Sequence, residues 1–220
     1  MTQAILHHVP GARSFRILWL LQEMGITPEV VLWRIQDGSM RSPDFLCKSP
    51  AGRIPALEID GKVIYESGAI TEYLCETRPE HGLGRAPGDA ERIPYLESLH
   101  YAETIAHLIA GLNLQWIFLR RPEDRSDTVV KIEAKRLAAT LAPIEETLAK
   151  QDHILASGFS AADTMMGFTL TAAGRYVRLN RFPNITAYNE RMAARPAHIS
   201  ACALDGERNF PSKEFYEVTA

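Results

Sequence analysis

At 220 residues, with 46% apolar and 23% charged residues and a formal net charge of −3, the chain has the composition of a folded globular protein. That length suits one large domain or two small ones. The slight acidic excess argues against nucleic acid or an anionic membrane as a partner, because both select a basic surface.

No apolar run approaches the ~20 residues that cross a bilayer. The stretch Met1 to Ile5 lacks the basic start and apolar run of a signal peptide. Cys47, Cys75 and Cys202 lie far apart, so reduced thiols and a cytoplasmic location are expected. No Cys/His cluster has zinc spacing, and His7 and His8 alternate faces of a strand, so no metal is expected.

Gln3 to His8 reads as a strand ended by the turn signal Val9-Pro10-Gly11. Ser14 to Met24 places apolar residues over a broad helical face, with Gly25 as its stop. Glu29 to Ile35 reads as a second, largely buried strand, completing a βαβ unit. Met40 to Leu46 is a weak helix or irregular segment. Two short strands, Ala56 to Ile59 and Lys62 to Tyr65, flank Asp60-Gly61, a strong hairpin signal. Glu66 to Thr77 is then helical.

His81 to Asp89 is rich in Gly and reads as a linker. Beyond it strand signals vanish. Helices are expected over Ala90 to Leu119 (with a bend near Gly111, stopped at Arg120-Arg121-Pro122), Ser126 to Lys150, Ala161 to Tyr176, and Ile185 to Ala194, ended by Arg195-Pro196. From Asp205 a polar tail with scattered aromatics is expected to wrap the surface. The domains are therefore set at 1–80, a linker at 81–89, and an all-helical part at 90–220.

Several fragments carry a resemblance. Ser49-Pro50-Ala51-Gly52-Arg53-Ile54-Pro55-Ala56-Leu57 resembles the loop before the third strand in cytosolic, bacterial-type glutathione transferases. Ile64-Tyr65-Glu66-Ser67-Gly68-Ala69-Ile70 resembles that family's Glu-Ser motif. Arg16 to Leu21 is similar to its first helix, and Arg181 to Ile185 with Tyr188 and Arg195-Pro196 to its C-terminal helices. The likeness runs from about Gln3 to Ala203. It implies a thioredoxin-like α/β domain followed by an all-α domain, glutathione as co-substrate, and a homodimer.

The resemblance also implies roles. Ile54-Pro55 would be a cis peptide, leaving the Ile54 N–H and C=O to pair with the cysteinyl backbone of glutathione. Glu66 would take the γ-glutamyl ammonium and Ser67 the γ-glutamyl carboxylate, helped by a helix N-terminus. Arg41 and Arg53 are candidate partners of the glycyl carboxylate and the ligand backbone. The family's thiol-activating hydroxyl falls at Ala12, or at Gly11, and neither carries one, so Ser14 is the nearest candidate catalytic group. Ser160-Ala161-Ala162-Asp163 is a helix-capping motif with a structural role. Tyr101, Thr104, His107 and Leu108, with Trp116, are spaced to line an apolar cleft for a second substrate between the domains.

The expected activity is conjugation of the glutathione thiolate to a small, largely apolar electrophile. A non-catalytic binding protein on the same fold, and a glutathione-dependent thiol reductase or lyase, are the alternatives.

Overall fold

β1 (Ile5–His8) and β2 (Glu29–Leu32) are parallel, and α1 (Phe15–Glu23) crosses between them. This is the expected βαβ unit. The computed structural model describes residues 4–119, 121–208, 210 and 212–217. Gln3, at the expected start of the first strand, and Arg120, in the expected helix stop, lie outside them.

A short α2 (Pro43–Leu46) follows β2, then β3 (Ala56–Ile59), β4 (Lys62–Tyr65) and α3 (Ser67–Thr77). β3 and β4 form the hairpin predicted from Asp60-Gly61. Both turn residues have positive φ, 53° and 70°, as a two-residue turn matching strand twist requires. The sheet order is β2-β1-β3-β4, with β1 antiparallel to β3. This is a thioredoxin-like α/β fold. β2 is shorter than expected and only partly buried, with Leu32 59% exposed. It is an edge strand, and its apolar run is not matched by burial on both faces.

Every residue from Phe15 to Leu21 on α1 is buried, Arg16 and Trp19 included. Part of that burial comes from a helix that the sequence does not announce, the eighth α-helix among the described residues, α8 (Pro196–Asp205). Pro196 occupies its first turn, so this proline starts a helix as well as ending the previous one. α8 packs along α1. The Arg195 guanidinium grips both carboxylate oxygens of Glu23 at 2.7 and 2.8 Å, and Trp19 Nε1 donates to Glu23 at 2.8 Å. His198 meets the Trp19 ring edge-on at 4.7 Å between centroids. By packing, the chain divides into one unit of Met1–Pro87 with Ala193–Phe210 and another of Gly88–Met192 with Pro211–Ala220. The span 193–210, counted with the helical domain in the sequence, therefore packs with the first unit.

The second unit is helical: α4 (Arg92–Asn113), α5 (Asp127–Leu148), α6 (Ala161–Ala173) and α7 (Pro183–Ala193). The break expected near Gly111 falls just beyond it, as a π-helical turn over Leu114–Phe118. α6 is buried around nearly its whole circumference and forms the core. Its N-terminus carries the capping box predicted from Ser160 and Asp163. The tail is less superficial than expected. Tyr216 is 4% exposed and stacks on Tyr176 at 5.2 Å, with Trp116 on another side.

Candidate functional site

Strand register gathers the implicated residues. His7 pairs with Ala56, and Ala56 pairs with Tyr65. The chain leaving β1, the chain entering β3 and the chain leaving β4 therefore emerge at one end of the sheet, about 5 Å apart in successive rows. These segments are Val9 to Ser14, Arg53 to Pro55, and Glu66-Ser67. β1 and β2 run parallel to His8↔Leu32, so the chain leaving β2 emerges there too.

Ile54-Pro55 is cis. Among the described residues, neither the N–H nor the C=O of Ile54 has a hydrogen-bond partner. The Arg53 N–H donates to buried Ser49 Oγ at 3.2 Å, which fixes the approach to this peptide. Gly52, at φ 61°, is needed there, since a Cβ would sit 2.7 Å from the Met40 carbonyl oxygen. Arg41 folds over the same loop and donates to the Ala51 carbonyl at 3.2 Å, while Arg41 and Arg53 are both exposed.

Glu66 adopts φ 70°, ψ 119°, a backbone state that non-glycine residues rarely accept. Such strain gathers at ligand-holding positions. It turns the chain so that Ser67 opens α3, with the Glu66 side chain exposed. Ser67 is buried, and Arg16, fully buried on α1, donates to Ser67 Oγ at 3.1 Å. The sequence reading gave Arg16 no role. Its signal was a lone charge inside the apolar run Phe15 to Leu21.

Ser14 is placed differently from expectation. Its side chain is fully buried, and its hydroxyl accepts from the Val9 N–H at 3.2 Å and donates to the Val9 carbonyl at 3.4 Å. The turn leaving β1 is tight enough that this hydroxyl closes it. The group expected to meet a thiol therefore faces inward.

A second polar cluster was not anticipated. Trp33 Nε1 donates to His7 Nδ1 at 2.9 Å, so His7 carries its proton on Nε2, which meets Glu58 at 2.7 Å. Lys48 reaches the same Glu58 oxygen at 2.7 Å. Lys48, then His7, hold the Glu58 carboxyl below the usual glutamate range, and Glu58 raises Lys48. A depressed carboxyl stabilises the fold above its unfolded pKa, and that contribution fades as pH falls through the lower native value. A raised lysine contributes below its unfolded pKa and loses that as pH rises. Denaturation midpoints measured from pH 7 to 3 should fall less steeply in Glu58→Gln than in wild type. Equal slopes would exclude this cluster as an acid-sensitive tie.

In the helical unit, Tyr101 donates to the Thr140 carbonyl at 2.9 Å, and burial raises its phenol pKa. His107 is exposed and lines a cavity of about 630 Å³ between α4 and α5 with His100, Glu103, Thr104, Arg136 and Thr140. Trp116 lies under the Arg125 guanidinium at 4.0 Å. Among the described residues, no helix is long and apolar enough to cross a membrane.

A thioredoxin-like sheet with a cis-proline loop and a strained Glu-Ser helix start, joined to a helical unit, defines a class of glutathione-using proteins. The family description "Glutathione S-transferase, N-terminal domain" matches residues 1–76, and "Glutathione S-transferase, C-terminal domain" matches 109–196. Glutathione S-transferase 4 of Zea mays is 32% identical over 83% of this chain and 83% of its own. Protein LigF of a Sphingobium strain is 28% identical over 90% of this chain and 91% of its own. A sphingomonad glutathione S-transferase complexed with glutathione superposes with a TM-score of 0.79 at 27% identity, covering 91% of this chain and 98% of that one. The chain belongs to the glutathione S-transferase family.

Proposed function

We propose that the protein binds glutathione along the shared strand end, stabilises its thiolate and adds it to a small, largely apolar electrophile, acting as a cytoplasmic homodimer. The observation that carries this is the alignment of the rows. The order β4-β3-β1 matches the order γ-glutamyl, cysteinyl backbone, thiol in an extended tripeptide. Glu66 and Ser67 take the γ-glutamyl ammonium and carboxylate. The Ile54 N–H and C=O take the cysteinyl backbone. Arg41 and Arg53 take the glycyl carboxylate and the ligand backbone. The thiol then lies against the turn leaving β1, beside the N-terminus of α1, whose dipole favours the anion.

The thiolate sulfur attacks the electrophilic carbon and displaces a leaving group, or adds and leaves a carbanion that water protonates. Holding both reactants together supplies much of the rate. His107 and the ring of Tyr101 are the candidate surface for the electrophile. The LigF relative, a beta-etherase, favours a second reading in which the same thiolate cleaves an ether.

Calorimetric titration with glutathione, followed by assays with an activated aryl halide and a β-aryl ether, tests this. Binding with turnover of the aryl halide is expected. Binding with turnover of the ether alone selects the lyase reading, and binding with neither selects a binding protein. Absence of binding rejects the site.

A further inference from the structure

The proposed site lacks a group for the thiolate in the usual place. Ala12 ends in a methyl, and the Ser14 hydroxyl is consumed by Val9. The chain beyond α8 crosses this turn. The Asp205 carboxylate accepts the Gly11 N–H on both oxygens at 3.1 Å, and His8 Nε2 lies 3.1 Å from the same side chain. Gly206 then lies 3.5 Å from Pro10, measured from the Cβ position its backbone would give. Arg208 packs directly on the face of Gly11. A side chain on Gly11 would collide with Arg208 Nε and lie 2.9 Å from its Cδ and Cγ. With φ at 71°, Gly11 both permits this turn and leaves room for the arginine.

We propose that Arg208, carried over the β1–α1 turn by the segment after α8, is the catalytic cation that stabilises the glutathione thiolate. This rests on the glutathione reading above. The guanidinium is always charged and offers several donors, so it suits a thiolate that no hydroxyl meets. It also offsets the nearby Asp205 carboxylate, which would otherwise oppose a second negative charge. Among the described residues, Asp205 and His8 face the turn, and Arg13 lies on it. The thiol proton leaves to water, so ionisation needs no protein base.

An opposite charge at contact range lowers a pKa by about 1–3 units. Ultraviolet titration of the thiolate in bound glutathione should therefore show ionisation well below that of free glutathione in wild type. In Arg208→Ala the bound pKa should rise by about one unit or more, so the thiolate fraction near neutrality falls by up to about tenfold for each unit. Arg208→Lys should retain part of the shift, and Arg13→Ala should leave it in place. Thermal midpoints separate a structural strap from a catalytic cation. A lowered midpoint with an unchanged bound pKa in Arg208→Ala overturns the proposal, as does a shift that follows Arg13 instead. Wild type that binds glutathione without depressing its pKa overturns it too, while leaving glutathione binding standing. Wild type that does not bind glutathione removes both.

Discussion

Replacing Asp163 with alanine is expected to lower unfolding free energy by about 3 kcal/mol or more. Its side chain is fully buried. It accepts the Ile154 N–H at 2.9 Å, the Ser160 N–H at 2.8 Å and the Tyr188 hydroxyl at 3.0 Å. Alanine leaves these buried donors unpaired, and each stranded donor costs about 1–3 kcal/mol. Ser160→Ala is milder, about 1 kcal/mol, because the bonds of Ser160 Oγ, to the Ala162 N–H at 3.3 Å and to Asp163, stay within the first turn of α6. The difference arises because Asp163 ties the entering loop, the helix start and α7 together, while Ser160 caps only its own helix. Urea unfolding of both variants measures the contrast. An Asp163→Ala loss no larger than that of Ser160→Ala would mean that water replaces these partners. Asp163→Asn should fall between them, keeping one acceptor but pointing an NH₂ toward a donor.

The parts of the molecule legible in the sequence are those governed by local rules. The Asp60-Gly61 hairpin and the Ser160–Asp163 cap each follow from a few adjacent residues. The family resemblance supplied the cis Ile54-Pro55 peptide, which no local rule demands. What escaped depended on distant chain. α8 is hidden in the sequence because Pro196 reads as a stop, though a proline is equally at home in a first turn. Its docking against α1 needs Arg195 and Glu23, 172 residues apart. Arg16 carries no local signal beyond a charge among apolar neighbours, and its buried partner Ser67 lies 51 residues away. Ser14 stood near the expected activating position, but the inward path of one turn assigned its hydroxyl to Val9. The Trp33–His7–Glu58–Lys48 cluster joins two strands, the chain just after β2 and the segment after α2, which no single sequence window contains.

On the proposed reading, Ser67→Ala should weaken glutathione binding by about 10- to 100-fold, the largest binding effect expected from a single atom. Arg16 Nη1 donates to Ser67 Oγ at 3.1 Å, so that oxygen already accepts, and the hydroxyl meets an anion only as a donor. A hydrogen bond to a charged group contributes about 1.5–3 kcal/mol, which corresponds to that range of dissociation constants. The γ-glutamyl carboxylate lies far from the reacting sulfur, so its contact is made equally in the ground and transition states. Losing it should raise KM for glutathione and leave kcat near its wild-type value once glutathione saturates. Arg16→Met should weaken binding as well, but it also removes a fully buried charge and should lower the thermal midpoint more than Ser67→Ala, which strands one Arg16 N–H. Glu66→Gln tests the other end of the same group, because it removes the charge proposed to meet the ammonium while keeping the side chain's size. If calorimetry gives Ser67→Ala and Glu66→Gln wild-type affinity, the start of α3 does not hold the γ-glutamyl end. The strained backbone of Glu66 would then have to be explained by packing, which its exposed side chain makes difficult.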